Sequence, residues 1–155
     1  MDILEFKIQD KQNDNYQFKS VTILVNGKDL IDLLKVYELP FAKKEGSENI
    51  AGGYDGLTPE TLLKHLTNPD EYDIDDNDKV SVLECECGCD GCWPMKVKAY
   101  ELGDKIIWAD FEQPHRTVDS HNFWDYSKFG QLTFDKNNYK EQLDVLRQTI
   151  NSITK

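Results

Sequence analysis

Positive charge is scarce in this sequence, and long apolar runs are absent. Eighteen Lys and Arg stand against 29 Asp and Glu, a formal net charge of -11. Nucleic-acid binding draws on Lys and Arg to neutralise phosphate, so this balance speaks against a nucleic-acid partner. An anionic membrane surface is disfavoured for the same reason. The charge suits a basic protein partner, a cation, or plain solubility. No apolar stretch approaches the about 20 residues that cross a bilayer. The opening residues, MDILEFKIQD, have neither a basic n-region nor an apolar h-region, so no signal peptide is expected. The expected location is cytoplasmic, where thiols stay reduced. A glycine-rich phosphate loop and a nucleophile elbow are also missing.

What remains fits one compact domain over residues 1–155. Hydrophobic residues make up 39%, charged residues 30%, and three Trp, seven Tyr and seven Phe argue against a disordered chain. Residues 3–8 and 16–25 read as strands, and Asn26-Gly27 as a turn. Asp29 can cap a short helix over 30–37, with Leu30, Leu33, Leu34 and Tyr37 on one face and Pro40 ending it. Residues 42–57 read as a glycine-rich loop. Thr58-Pro59-Glu60 opens a second helix, with Leu62, Leu63 and Leu66 on its buried face, and Asn68-Pro69 stops it. An acidic loop follows over 70–78. Short strands are expected at 80–85, 95–101, 105–111 and 131–134. Asp135 or Asn138 can cap a final helix running to about Ile153, with Tyr139, Leu143, Leu146, Ile150 and Ile153 at core spacing. The expected class is α+β: an antiparallel sheet with about three helices packed on it, the last at the C-terminus.

Cysteine is confined to one place. Cys85, Cys87, Cys89 and Cys92 all lie in ECECGCDGCWP, as C-x-C-x-C-x-x-C. In a straight strand, residues two apart are separated by about 6.6 Å. Sulfurs sharing one tetrahedral zinc are only about 3.8 Å apart. One ion therefore requires the chain to turn inside the motif, and Gly88 and Gly91 permit that. Cys89 and Cys92 have the spacing of a metal-binding turn, Cys87 is the best third ligand, and Cys85, a histidine or water can be the fourth. Glu84, Glu86 and Asp90 raise thiol pKa values, which opposes a cysteine nucleophile, whereas a bound dication would stabilise thiolates. Zinc is the expected metal. Three other readings stand beside it: reduced thiols lining a turn, a disulfide staple, and a redox pair of Cys89 and Cys92. The redox pair should open a helix, but MKVKAYEL after it alternates like a strand. A standard zinc ribbon needs a second C-x-x-C, and there is none.

KIIWADFEQPHR, residues 105–116, is the second unusual stretch. Strand alternation would put Ile106, Trp108, Asp110 and Glu112 on one face. Pro114 would then present His115 and Arg116, with His121 and Trp124 further on. The functional expectation is a pocket lined by Trp93, Trp108, Trp124 and His121. In it, Asp110 and Glu112 would be acid, base or ligands, His115 a proton carrier and Arg116 an anion clamp. The plain alternative is an exposed strand end with an Arg–carboxylate pair and a loop pinned by aromatics. Residues 73–84, DIDDNDKVSVLE, match a calcium-loop template at Asp73, Asp75, Asn77, Ser81 and Glu84. Asp78 stands where glycine belongs and β structure follows, so a solvated acidic turn is expected.

CECGCDGCWP, the QPHR segment, WDYSKFG and FDKNNY together resemble a group of short bacterial proteins. These carry C-x-C-G…G-C-W-P, then W-x-D-F-x-Q-P-H-R and W-x-Y. The resemblance covers residues 80–145 and implies no activity. It does imply that the cysteine turn and the QPHR loop form one unit. Two functions follow as expectations. One is a small acidic binding protein with a structural, zinc-bound cysteine turn and a basic protein partner; a toxin-neutralising (immunity-type) role would suit it by analogy of size and charge. The other is a metal-assisted hydrolase using the cysteines with Glu112 or His115 as base.

Overall fold

The computed structural model describes residues 1–12, 14–68, 78–87 and 92–153. Cys89 and the calcium-type positions Asp73, Asp75 and Asn77 lie outside the described residues. Two antiparallel sheets and three α-helices make up the described fold, so the expected α+β class is what the chain adopts. No helix among the described residues is long and apolar enough to cross a membrane.

The first sheet is a hairpin of β1 (Leu4–Gln12) and β2 (Gln17–Val25), extended by the two-residue β3 (Lys28–Asp29) across the Asn26-Gly27 turn. Helix α1 (Leu30–Lys44) follows, with the Asp29 carboxylate accepting from Ile31 N. It runs beyond the expected stop, with Pro40 inside it. Proline removes the bond to the carbonyl four residues back, that of Val36, and Val36 is exposed to water. The turn beyond Pro40 is retained because Ala42 is fully buried and Phe41 stacks on Trp124.

The second sheet has the order β4 (Tyr54–Gly56), β5 (Val80–Cys85), β6 (Met95–Leu102), β7 (Lys105–Glu112) and β8 (Leu132–Asp135). Helix α2 (Pro59–Thr67) precedes β5, with Thr58 Oγ1 accepting from Thr61 N. Strand β5 occupies the place where a calcium-type loop would send out a helix. Helix α3 (Lys136–Ile153) closes the chain. Of the two capping candidates, Asp135 takes the role: its Oδ2 accepts from Asn137 N and Asn138 N. Asn138 instead donates to Leu4 O and accepts from Leu4 N, and Gln142 accepts from Phe6 N. Two helix amides thus satisfy the outer edge of β1, which would otherwise be an open template for pairing. Tyr139, Leu143 and Leu146 are buried; Ile150 is half-buried and Ile153 exposed, so the apolar stripe leaves the core in its last turn.

The two sheets meet at both outer strands of the larger one. At β8, Asp2 N donates to Thr133 O (2.8 Å). At β4, Val21 N donates to Leu57 O (2.9 Å) and Ser20 Oγ to Gly56 O (3.1 Å). Gly56 is essential to the second junction, because a Cβ there would lie 2.1 Å from the Val21 carbonyl oxygen.

Strand β7 departs from simple alternation. Ala109 pairs with Lys98 and Glu112 with Lys96, so three steps on β7 oppose two on β6. Asp110 takes up the extra residue at φ 53°, the left-handed region that short polar side chains tolerate at a bulge. Past the bulge the faces are exchanged. Trp108 and Glu112 therefore do not share a face, contrary to the alternation expected from sequence.

Gly56→Ala should lower unfolding free energy by about 1–3 kcal/mol, the usual cost of forcing an atom into filled space. Urea denaturation measures it, and wild-type stability in this variant would contradict the β2–β4 junction.

Candidate metal centre and adjoining groove

The cysteine turn has two described arms. The first leaves β5: Cys85 pairs with Tyr54, and Glu86 N then donates to Gly53 O at 3.1 Å. The second is Cys92-Trp93-Pro94, leading into β6. The Sγ atoms of Cys85, Cys87 and Cys92 all lie within 4.8 Å of one another, and the Cys87 thiol donates to Cys85 Sγ at 3.0 Å. A straight strand cannot produce this convergence, so the backbone bends as a shared centre demands. Cys85 is buried, while Cys87 and Cys92 are exposed; all three are free thiols. Hydrogen bonds with Cys85 and Cys87, and then their charge, push the Cys92 thiol up to about 11. The Cys92 thiol thus resists becoming an anion until a cation joins it; a dication would reverse the balance. Three cysteines are therefore placed so that they can hold one metal ion. Among the described residues, neither a histidine nor a carboxylate belongs to this group.

The second arm is fastened to the QPHR loop. Trp93 stacks on His115 with ring centroids 5.9 Å apart and 9° between planes, and meets Trp124 edge-on at 5.7 Å. The Arg116 guanidinium sits 5.0 Å from the Trp93 ring centre and 5.7 Å from that of Trp124. Its Nε and NH2 both reach Glu45 at the end of α1, and Trp124 Nε1 donates to the same carboxylate at 2.9 Å. Partial burial pushes the Glu45 carboxyl up, but hydrogen bonds from Arg116 and Trp124 outweigh it and hold the group below its ordinary value.

Behind this lies a buried polar cluster that sequence reasoning missed. Glu38 on α1 is fully buried. Its Oε2 accepts from Tyr54 OH and Tyr126 OH (2.5 Å each), and its Oε1 from Gly52 N (2.9 Å). Gln113 Nε2 donates to Tyr54 OH and to Pro94 O, and Gln113 Oε1 accepts from His115 N. Burial raises the Glu38 carboxyl above its ordinary 4.5, and the three donors counter only part of that. Burial, with the Glu38 charge beside them, also raises both tyrosines. The signal was present in the sequence. Leu30, Leu34 and Glu38 fall at i, i+4 and i+8, which sets one carboxylate on the buried stripe.

The expected site residues are only partly brought together. Asp110, Glu112, Arg116 and Trp124 line one groove of about 770 Å³, with Lys79 and Tyr126. Glu112 is paired with Lys79 at 3.4 Å and Arg116 with Glu45 at 2.9 Å. Trp108 does not line the groove: it is fully buried, bonds Tyr139 OH through Nε1 and packs on Phe134. His121 lies in a separate hollow with Phe41, Glu45 and Trp124. His115 is exposed and lies against Trp93. Among the described residues, neither Glu112 nor His115 belongs to the group of three sulfurs.

No family model, curated protein or solved structure matches this chain.

The raised Glu38 value gives stability a definite pH dependence. A carboxyl whose folded pKa exceeds its unfolded one makes its full contribution below about 4.5, and loses it as pH rises through the raised folded value. Glu38→Gln should abolish that portion of the decline. The difference between wild type and variant, followed by urea denaturation from pH 4.5 upward, should therefore change with pH. A constant difference would contradict the buried-carboxylate picture.

Proposed function

We propose that the protein is a small acidic interaction protein whose cysteine turn holds a structural metal ion. The convergence of Cys85, Cys87 and Cys92 from two separate arms carries the reading. Zinc suits the donor set best, since it accepts thiolates in a tetrahedral shell without redox chemistry. Cys89, two positions beyond Cys87 in sequence, would supply the fourth sulfur and close the shell. The ion would serve as a cross-link between the end of β5 and the Trp93 arm, in a compartment that keeps thiols reduced. The net charge of -11 then favours a basic protein as partner. The contacts of Trp93 and Pro94 with Gln113, His115 and Arg116 support treating the turn and the QPHR loop as one unit, as the resemblance implies.

Elemental analysis of the protein, purified under reducing conditions, should find one equivalent of zinc. A Cys85→Ser, Cys92→Ser double variant should lose it while keeping its far-ultraviolet circular dichroism. Absence of metal from the reduced wild-type chain, even after zinc is supplied, would end the proposal.

A further inference from the structure

The three tryptophans are anchored differently. Trp108 Nε1 is bonded to Tyr139 and Trp124 Nε1 to Glu45. Trp93 Nε1 is buried and has no hydrogen-bond partner among the described residues. An unmade bond of that kind costs about 1–3 kcal/mol, and no side-chain hydrogen bond shown fixes the Trp93 ring. Its place is set by stacking contacts and by its backbone neighbours. One neighbour, Pro94, is held through its carbonyl by Gln113. The other is Cys92, whose thiol belongs to the sulfur cluster and whose residue is otherwise exposed.

From this we infer that metal occupancy of the cysteine turn is coupled through Trp93 to the wall of the neighbouring groove. The inference rests on the metal reading above and adds its regulation. An ion bound by Cys92 together with Cys85 and Cys87 fixes the start of the second arm, and with it the Trp93 ring. That ring is one of two aromatic faces on the Arg116 guanidinium; the other belongs to Trp124. Arg116 and Trp124 share Glu45, and both line the groove that also contains Asp110 and Glu112. Loss of the ion releases Cys92, loosens Trp93 and removes one side of the Arg116 stack. The groove wall then changes, while Trp108, on the opposite side of the β7 bulge, does not. The metal state would thus set the shape of the surface offered to a partner, beyond holding the fold.

The indole N–H groups provide the test. Full-length, reduced, ¹⁵N-labelled protein is stripped with a chelator and titrated with Zn²⁺, and bound zinc is measured on the same samples. The Trp93 and Trp124 indole signals and the Arg116 Nε–H signal should shift together and saturate at one equivalent, with Trp108 stationary. In Trp93→Phe, zinc should still bind at one equivalent while the Trp124 and Arg116 signals no longer respond. Zinc bound with Trp124 and Arg116 unmoved overturns the coupling and leaves the metal site standing. Unchanged shifts in Trp93→Phe overturn Trp93 as the link. Zinc failing to bind overturns the metal site and the coupling together.

Discussion

A carboxylate without a cation sits at the centre of this molecule. Glu38 is buried against two tyrosine hydroxyls and one backbone N–H. Removing a charge from water costs several kcal/mol even after relaxation, and only well-aimed donors offset that cost. The donors come from segments that would otherwise have little reason to meet. Gly52 lies in the connection before the larger sheet, Tyr54 on its outer strand β4, and Tyr126 in the long segment before β8. Gln113 extends the network to Pro94 at the cysteine turn. Gly52 approaches so closely that a Cβ would lie 2.5 Å from Lys35 Cβ, and its φ of 67° suits glycine. The candidate metal centre, the QPHR loop and the groove are thus positioned from one acceptor on α1. A second contact along the same helix, Glu45 with Arg116 and Trp124, fixes the orientation of that assembly.

The larger sheet has little free edge. Its β4 side is covered by β2 and its β8 side by Asp2, while the exposed edge of β1 is satisfied by Asn138 and Gln142. The exception lies where β7 outruns β8. Their pairing ends at Trp108 with Leu132, and Asp110 then bulges. The chain leaves β7 after Glu112 and returns at β8, and Asp110, Glu112 and residues of that intervening segment line the groove.

What was legible in the sequence follows from how local each signal is. The α+β class, the capped helices and the C-terminal stripe as far as Leu146 rest on periodicity and capping, which act within a turn or two, and they stand. The sulfur cluster was legible because four thiols in eight residues leave few geometries. Three features depended on distant partners and were hidden. The extension of α1 past Pro40 depends on Phe41 meeting Trp124, more than 80 positions away. Simple alternation carried through Asp110 sets Trp108 on the face of Glu112, and the bulge there breaks it. Glu38 carries no local sign of its partners, because its tyrosines lie 16 and 88 residues along the chain. Each error comes from non-local packing overriding a local rule.

The charge around the thiols bears on which ligands the turn could accept. Glu84 and Glu86 flank Cys85, and the whole chain is strongly negative. Without a cation these groups disfavour thiolates, in the same direction as the raised Cys92 thiol. Among the described residues, Arg116 stacks over Trp93 and is paired with Glu45. The sequence around the turn, with Glu84, Glu86 and Asp90 in it, is acidic. Such a setting concentrates cations and lowers the local concentration of anions, including anionic thiols and phosphate chelators. It disfavours a cysteine nucleophile for anionic substrates and favours metal uptake. An acid-rich setting and a cluster of soft donors appear contradictory if the cysteines must react, and are consistent if they bind a cation.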